Sequence, residues 1–266
     1  MTTTLTSPAL LGTNLGKRYG AIEALAGVDI ALRRGEVTSL CGDNGAGKST
    51  LVKILSGASV PSAGMLEIDG APVRLRSPRH AQQVGIQTVY QDLGIAPHLT
   101  VTENVFLGRE IPRPGILGRL GMLDRKAMRS ATADAVERVK INLPSLDHIV
   151  ESMSGGQRQA VAVSRTIAGQ GSVVLLDEPT AALGVQETDR VADLITRLRD
   201  SGVAVLMISH DLPMVMQLST RVVVLRHGRK VGDIAAADYT VDDVIAYITG
   251  HRVDNHPRHN SPEEAT

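Results

Sequence analysis

Three short runs of the chain have the length of β-strands and are largely apolar on both faces. They are EVTSLC (36–41), VVLLD (173–177) and VAVLMIS (203–209). Such runs are typical of parallel strands buried between helices. Helical patterns begin at about Lys48, at Gly156 and at Val185, and the last reaches about Asp200. The alternation of strand, loop and helix predicts an α/β fold with a parallel sheet.

The N-terminal part of the chain has a different pattern, in which apolar and polar residues alternate. The segments are VDIAL (28–32), MLEID (65–69) and PVRLR (72–76). This alternation is typical of half-exposed antiparallel strands. We therefore expect a small antiparallel β lobe that packs against the α/β core.

Residues 92–152 have helical spacing and no long apolar run. The spacing is seen after a candidate N-cap at Asp124, in the series Met128, Ala131, Ala135 and Val139. The pattern predicts a helical subdomain, at about residues 92–160, inserted in the α/β core. Within it, REIPRPGILGRLG (109–121) is rich in Pro, Gly and Arg, which predicts an exposed connection.

Composition and charge indicate which partners this chain is not suited to bind and which cellular compartment suits it. The chain has 28 Lys plus Arg against 28 Asp plus Glu, so it lacks the basic excess that drives non-specific nucleic-acid binding, and we expect no nucleic-acid partner. Cys41 is the single cysteine, which favours a reducing compartment. We expect no signal peptide, because the N-terminus MTTTLTSPALLG has no basic region ahead of an apolar core. We expect no transmembrane segment, because no apolar run approaches about 18 residues.

The glycine-rich stretch GDNGAGKST (42–50) follows the first apolar run and precedes a helical pattern. This is the context that the phosphate-binding motif GxxxxGK[ST] requires, which makes a chance glycine-rich turn the weaker interpretation. Its glycines let successive N–H groups point inward, where the helix dipole adds to the field. Lys48 is expected to reach the β and γ phosphates, and the Ser49 hydroxyl to ligate Mg²⁺. The predicted nucleotide-binding residues are Gly42, Asp43, Asn44, Gly45, Ala46, Gly47, Lys48, Ser49 and Thr50.

Acidic residues at the end of a second buried run could complete a hydrolytic site. Asp177 ends VVLLD and is placed to act on Mg²⁺, directly or through water. Glu178 could orient or deprotonate an attacking water. The alternative is that both carboxylates cap the next helix. His210 also ends a buried run and could contact a γ-phosphate oxygen or the water, although a histidine at a strand end is commonly structural.

The stretch ESMSGGQRQAVAVSRTIAGQGSVVLLDEPTAAL (151–183) closely resembles the ATP-binding cassette (ABC) ATPases. Their signature SGGQ stands shortly before an LLDEP segment, and the similarity extends from about residue 11 to about residue 235. Ser154, Gly155 and Gly156 offer a hydroxyl and open backbone N–H groups at a helix N-terminus. In the family this second cradle, here Ser154 to Gln157, contacts ATP held by the opposite subunit. The resemblance therefore implies a P-loop NTPase fold and a dimer, either a homodimer or a pair with a second cassette.

The same resemblance assigns roles to single residues. Gln91 matches the Q-loop glutamine, which touches Mg²⁺ or water and joins the core to the helical lobe. Tyr19 matches the aromatic residue that stacks on adenine, with core packing as the alternative. Glu178 matches the catalytic glutamate and His210 the switch histidine. The implied cofactors are ATP and Mg²⁺, in a single ABC nucleotide-binding domain at residues 1–250 followed by a polar, disordered tail at 251–266.

Two positions depart from the family pattern. Met153 stands where leucine is usual, which is a near-isosteric change. Gly184 replaces an acidic residue that helps to join the two active sites of the dimer, so the coupling of those sites is in question. Neither departure touches the residues expected to perform the chemistry.

The segments QDLGIAPHLTVTENVFLGRE (91–110) and GMLDRKAMRSAT (121–132) are similar to ATPases of ribose, galactose, xylose and fructose importers. This resemblance implies uptake of a small solute, in particular a monosaccharide, through separate integral-membrane permease subunits. A periplasmic solute-binding protein would take part indirectly, and the ATPase would be peripheral at the cytoplasmic face of the inner membrane. The alternatives are a non-transport ABC ATPase acting as a regulatory, repair or translation switch, and a P-loop kinase, which SGGQ disfavours.

Overall fold

The computed structural model describes residues 7–89, 94–138, 143, 145–168, 171–180 and 184–252. Within these ranges the strands are β1 Leu10–Tyr19, β2 Ile22–Leu32, β3 Val37–Gly42, β4 Ala63–Ile68, β5 Ala71–Val73, β6 Ile86–Val89, β7 Val173–Asp177, β8 Ala204–Ile208, β9 Arg221–Arg226 and β10 Arg229–Ala235. The helices are α1 Lys48–Leu55, α2 Pro78–Gln83, α3 Val101–Phe106, α4 Ile116–Arg119, α5 Arg125–Arg138, α6 Gly155–Ala168, α7 Val185–Asp200, α8 Leu212–Leu218 and α9 Val241–Thr249.

The central sheet has the strand order β10-β9-β3-β8-β7-β6. All its described pairings are parallel except that of β10 with β9, which is antiparallel. Successive side chains of β3 enter opposite hydrophobic clusters, with Leu40 on one face and Cys41 on the other. The sheet is therefore buried on both faces, and the predicted α/β fold with a parallel sheet is confirmed.

The N-terminal lobe is an antiparallel sheet of order β2-β1-β4-β5. Leu15 and Leu25 of this lobe share a cluster with Leu51 of α1 and with Leu206 of the central sheet, so the lobe packs on α1 and on one face of the core. The predicted strand at 72–76 is wrong beyond Val73, where β5 ends. Strand β1 has no counterpart in the sequence pattern, because three register irregularities interrupt its alternation.

A separate hydrophobic cluster forms the helical part of the chain. Its members come from α3, α5, α6 and the turn before α6, and they are Val101, Val105, Phe106, Met128, Val150, Met153 and Val161. The Asp124 carboxylate accepts a hydrogen bond from Ala127 N at 2.9 Å, as expected of an N-cap for α5. Val139 of the predicted series lies outside the described residues.

Two expectations for the helical part need correction. Helix α6 begins at Gly155, one residue before the predicted start. The predicted connection at 109–121 contains the short helix α4 (Ile116–Arg119), although it is largely exposed as expected. The proposed limits at residues 160 and 250 stay predictions. The first of them falls inside α6, which supplies Val161 to the helical cluster and Ala162 to the main core.

The hairpin of β9 and β10 contains a partly buried ion-pair cluster. The Asp233 carboxylate pairs with the Arg221 guanidinium and with Lys230 Nζ, the latter at 2.7 Å. Burial raises the pKa of Asp233, but the hydrogen bonds from Arg221 and Lys230 outweigh it and hold the pKa below its usual range. The charged carboxylate therefore stabilises this edge of the sheet.

The Asp233→Asn substitution should lower the free energy of unfolding by about 2 kcal/mol at neutral pH, because it leaves two partly buried cations without their anion. The folded pKa is depressed, so this stabilisation is present above the ordinary aspartate pKa of about 4 and is lost as the pH falls towards the folded value. Urea unfolding at several pH values measures both effects.

The matched control is Asp69→Asn, which removes a pair with Arg34 whose side chains are 49% and 52% exposed. We expect its cost to stay below about 1 kcal/mol. An equal loss in the two variants would contradict a special contribution from the Asp233 cluster.

Candidate nucleotide-binding site

The glycine-rich loop connects the end of β3 to the start of α1. Gly42, Gly45 and Gly47 have φ values of 149°, 79° and 103°, in the region that favours glycine. A Cβ at Gly42 would lie 2.3 Å from Leu225 O, and one at Gly47 would lie 2.8 Å from Ala24 O. Because the first N–H groups of α1 have no side-chain cap, they remain available to an anion.

Lys48 is buried at the first position of α1, and its ammonium group is held inside the loop. Lys48 Nζ donates to the carbonyl oxygens of Gly42, at 2.7 Å, and Asp43, at 2.9 Å. Ser49, next in the helix, is exposed, and Thr50 is half-buried. The remaining loop residues form the outer turn, where Asn44 N donates to Asp43 Oδ1 at 2.7 Å and Ala46 N donates to Asp43 O at 3.1 Å.

The turn between β9 and β10 packs against this loop, which the sequence pattern did not reveal. Gly228 N donates to Ala46 O at 3.0 Å, and Gly228 O accepts from Ala26 N at 2.8 Å. A Cβ at Gly228, where φ is 75°, would lie 2.8 Å from Ala24 O. Gly228 thus contacts both the glycine-rich loop and the β lobe from the turn of the C-terminal hairpin. In the sequence, LRHGRK (225–230) stands between two apolar runs, which indicates a hairpin but nothing about its neighbours.

Asp177, Glu178 and His210 lie at the same edge of the sheet as the loop. Leu40 of β3 and Asp177 of β7 both pair with Ile208 of β8. The three strands therefore end close together at the same edge of the sheet. Glu178 Oε1 and His210 Nε2 are 2.8 Å apart, and Glu178 has a left-handed φ of 51°. The N-cap of α7 is Gly184, which makes no side-chain cap. The alternative that these carboxylates cap that helix therefore receives no support.

The electrostatic environment of Asp177 connects it to the rest of the cluster. Burial raises the pKa of Asp177, and the neighbouring carboxylate of Glu178 raises it further, while Lys48 and His210 oppose both effects. The raised pKa means that the attraction from Lys48 and His210 does not fully offset the cost of burying the charged carboxylate beside Glu178. Oxygen ligands from Asp177 and Ser49 are the type that Mg²⁺ prefers, and a cation there would stabilise the carboxylate. The donor set therefore fits a magnesium nucleotide.

The other predicted site residues lie on separate elements. Tyr19 ends β1, 47% exposed, with Lys17 Nζ 5.2 Å from the ring centroid. This exposure disfavours core packing as its role. Ser154 Oγ accepts from Gln157 N, and Gln157 Oε1 accepts from Ser154 N, so the two cap α6. Gln91 lies outside the described residues.

Residues 25–181 match the profile of the ABC transporter family. The chain belongs to this family. A fructose import ATP-binding protein of Rhizobium meliloti, FrcA, is 45% identical over 91% of this chain and 94% of its own length. A ribose import ATP-binding protein of Yersinia pestis, RbsA, is 39% identical over 91% of this chain but only 46% of its own length. The chain thus spans about half of this second ABC relative.

Solved structures show the same ABC fold. A nucleotide-free ATP-binding cassette from an ABC transporter superposes with a TM-score of 0.76 at 22% identity, covering 90% of this chain and 98% of its own. The dimeric bacterial ABC transporter cassette MJ0796 has a TM-score of 0.68 at 26% identity, covering 85% of this chain and 98% of its own. Among the described residues, no helix has the length and apolar character needed to cross a bilayer.

Gly47→Ala should abolish the binding of a fluorescent ATP analogue, because the added methyl would collide with Ala24 O and Leu25 Cδ2. The collision and the left-handed φ together should lower the free energy of unfolding by about 2 kcal/mol or more. In Gly45→Ala the added methyl would meet nothing within 4 Å, so only the backbone cost of about 1 kcal/mol remains. Equal losses would contradict a packing role for Gly47.

Cys41 should resist alkylation although it directly precedes the loop. Burial raises the pKa of the thiol to about 12, with a smaller opposing effect from Lys48. At pH 8 the reactive thiolate should be scarce, and iodoacetamide should react roughly 10³-fold more slowly with the folded protein than in urea. Mass spectrometry of timed samples measures the two rates, and similar rates would contradict the burial of this thiol.

Proposed function

We propose that this chain is the ATP-hydrolysing subunit of an ABC importer that takes up a monosaccharide through a separate permease. The observation that carries the proposal is the pairing of Glu178 with His210 at the edge of the sheet from which the phosphate loop emerges. Family membership favours the ABC class over a P-loop kinase. The names of the fructose and ribose import relatives support a sugar as the cargo.

Phosphate binding falls to the glycine-rich loop. The backbone N–H groups of residues 42–50 and the N-terminus of α1 offer donors to phosphate oxygens. The Lys48 ammonium, which donates to Gly42 O and Asp43 O, can turn to the β and γ phosphates with little movement. Ser49 and Asp177 would hold Mg²⁺, whose charge offsets that of the phosphates when bound. Tyr19 would stack on adenine from the adjoining hairpin.

Water activation falls to Glu178. Its carboxylate follows the buried strand β7 and is 29% exposed, so it can meet a water molecule at the strand edge. Its Oε1 lies 2.8 Å from His210 Nε2, and the left-handed backbone of Glu178 turns the chain at this point. As the general base, Glu178 would take a proton from the water that attacks the γ phosphate. His210 would position the carboxylate and the water, and Gln91 would act from the Q-loop.

The signature at the start of α6 requires a second subunit. The described hydrogen bonds of Ser154 and Gln157 stay within the start of their own helix, on the helical part of the chain. In the proposed dimer, Ser154, Gly155, Gly156 and Gln157 face ATP held by the other subunit, which is a second copy or another cassette. ATP binding would close this dimer and hydrolysis would reopen it, because the phosphates contact both subunits only in the closed form.

The remaining parts of the proposal concern the assembly. The membrane pore would be formed by integral-membrane permease subunits, and the sugar would be delivered by a periplasmic solute-binding protein. The ATPase would lie at the cytoplasmic face of the inner membrane as a peripheral subunit. Sugar recognition would belong to those partners and not to this chain.

Glu178→Gln should lower the rate of ATP hydrolysis by about 10²-fold or more, because the amide keeps the shape of the side chain but cannot accept the proton. Binding of a fluorescent ATP analogue should be nearly unchanged, since the phosphate loop is intact. Phosphate release at saturating ATP measures the rate, and light scattering with ATP tests the dimer.

Glu67→Gln is the matched control, because Glu67 lies on β4 in the N-terminal lobe. Its hydrolysis rate should equal that of the wild type. Near wild-type hydrolysis by Glu178→Gln would mean that another group is the base. Sugar import is tested separately, by co-purification with a polytopic membrane protein and by uptake in cells that lack this chain.

A further inference from the structure

An exposed apolar loop, residues 111–123, lies in the helical part of the chain and has no role in the proposed ATPase reaction. It contains the short helix α4 and ends beside α5. Its apolar side chains are exposed to an unusual extent, namely Ile116 at 75%, Leu120 at 74%, Met122 at 49% and Leu117 at 45%. Clustered exposed aliphatic side chains are typical of a contact surface, whereas single ones are common on any protein.

The conformation of the apolar loop is fixed by its own backbone. Arg113 N donates to Met122 O at 2.9 Å, and Asp124 N donates to Ile111 O at 2.7 Å, which closes the base of the loop. Inside it, Met122 N donates to Leu117 O at 3.0 Å. Gly118 permits this fold, because a Cβ there would lie 1.9 Å from Arg113 O. The aliphatic side chains are thus held outward by a defined structure.

The charged residues within the apolar loop are all positive. Residues 111–123 contain Arg113 and Arg119 and no acidic residue. Both arginines are exposed, and neither has a carboxylate partner among the residues that the structure describes. Just beyond the loop, Arg125 pairs with Glu103 at 3.8 Å, and Lys126 is exposed. Arg113 and Arg119 therefore place positive charge without a described carboxylate partner beside the apolar side chains.

We propose that the apolar loop binds the surface of an anionic phospholipid membrane, with Ile116 and Leu120 inserted at the headgroup boundary and Arg113 and Arg119 paired to lipid phosphates. Aliphatic side chains beside cationic ones are the combination that favours such an interface. Guanidinium groups match phosphate oxygens in a bidentate manner. A fluid lipid surface can surround exposed aliphatic side chains without a matching pocket, and arginines without a described carboxylate partner favour phosphate over a purely apolar protein groove.

This inference goes beyond the proposed function, because it gives the ATPase its own contact with the membrane, independent of any permease. The test is vesicle flotation of the full purified chain. One set of vesicles contains phosphatidylcholine alone, and the other contains added phosphatidylglycerol. We expect binding to the anionic vesicles, weakened by salt because screening reduces the arginine contribution.

Two double variants separate the apolar and the charged contributions. Ile116→Asn with Leu120→Asn should lower the vesicle affinity about tenfold or more, because two inserted aliphatic side chains are lost while the charge of the loop stays the same. Arg113→Gln with Arg119→Gln should lower it about tenfold on anionic vesicles and remove the preference for them. Both variants change exposed residues, so thermal unfolding and ATP hydrolysis in lipid-free solution should match the wild type. A failure of lipid binding thus stays distinct from a failure of the proposed ATPase.

Ile22→Asn is the matched control, because Ile22 is 70% exposed in the N-terminal lobe. It should leave vesicle binding unchanged. The proposal is overturned if the wild type ignores anionic vesicles, or if the Ile116 and Leu120 variant binds them as well as the wild type. A third outcome also overturns it: the wild type fails to bind protein-free vesicles but binds a membrane protein, and the variants lose that partner. The loop would then dock on protein and not on lipid.

Discussion

Burial of the central sheet on both faces is the constraint on which the other features of this protein depend. Side chains of β3, β7 and β8 alternate between two hydrophobic clusters, which leaves little room for charged chemistry along the strands. The carboxyl ends of the strands are where polar groups can meet both backbone and solvent. The parallel register brings Leu40, Ile208 and Asp177 to one level, and the phosphate loop, the carboxylates and the histidine gather there for this reason.

Local backbone strain at this edge is supported by the packing around it. Glu178 has a left-handed φ without being a glycine, a conformation that costs roughly 1 kcal/mol or more. Its N–H donates to Ile208 O at 3.0 Å, so the adjacent strand holds the turn. Helix α6 extends this support to the helical part, because Val161 and Ala162 pack in different clusters. One helix, which begins at Gly155, therefore packs against both the helical cluster and the main core.

The sequence predicted those elements whose ends carry strong local signals. Strand β7 (Val173–Asp177) and helix α7 (Val185–Asp200) have the predicted bounds. Strand β1 escaped prediction, since left-handed Asn14 and the bulges beside it disrupt the alternation. The loop residues were predictable from spacing, because the motif is contiguous. Contacts between distant segments could not be predicted from local patterns. The Glu178–His210 pair depends on the register of the sheet, and the packing of Gly228 depends on three segments that lie far apart in the sequence.

The position of Gly228 has a consequence for the synthesis of the protein. The loop that begins at Gly42 is supported by a hydrogen bond from Gly228, some 180 residues later in the chain, and the β lobe is tied to the same glycine through Ala26. A nascent chain exposes the glycine-rich sequence early but gains this support only after the C-terminal hairpin has left the ribosome. Domains fold as units during synthesis, and here the glycine-rich loop is completed among the last parts of the core.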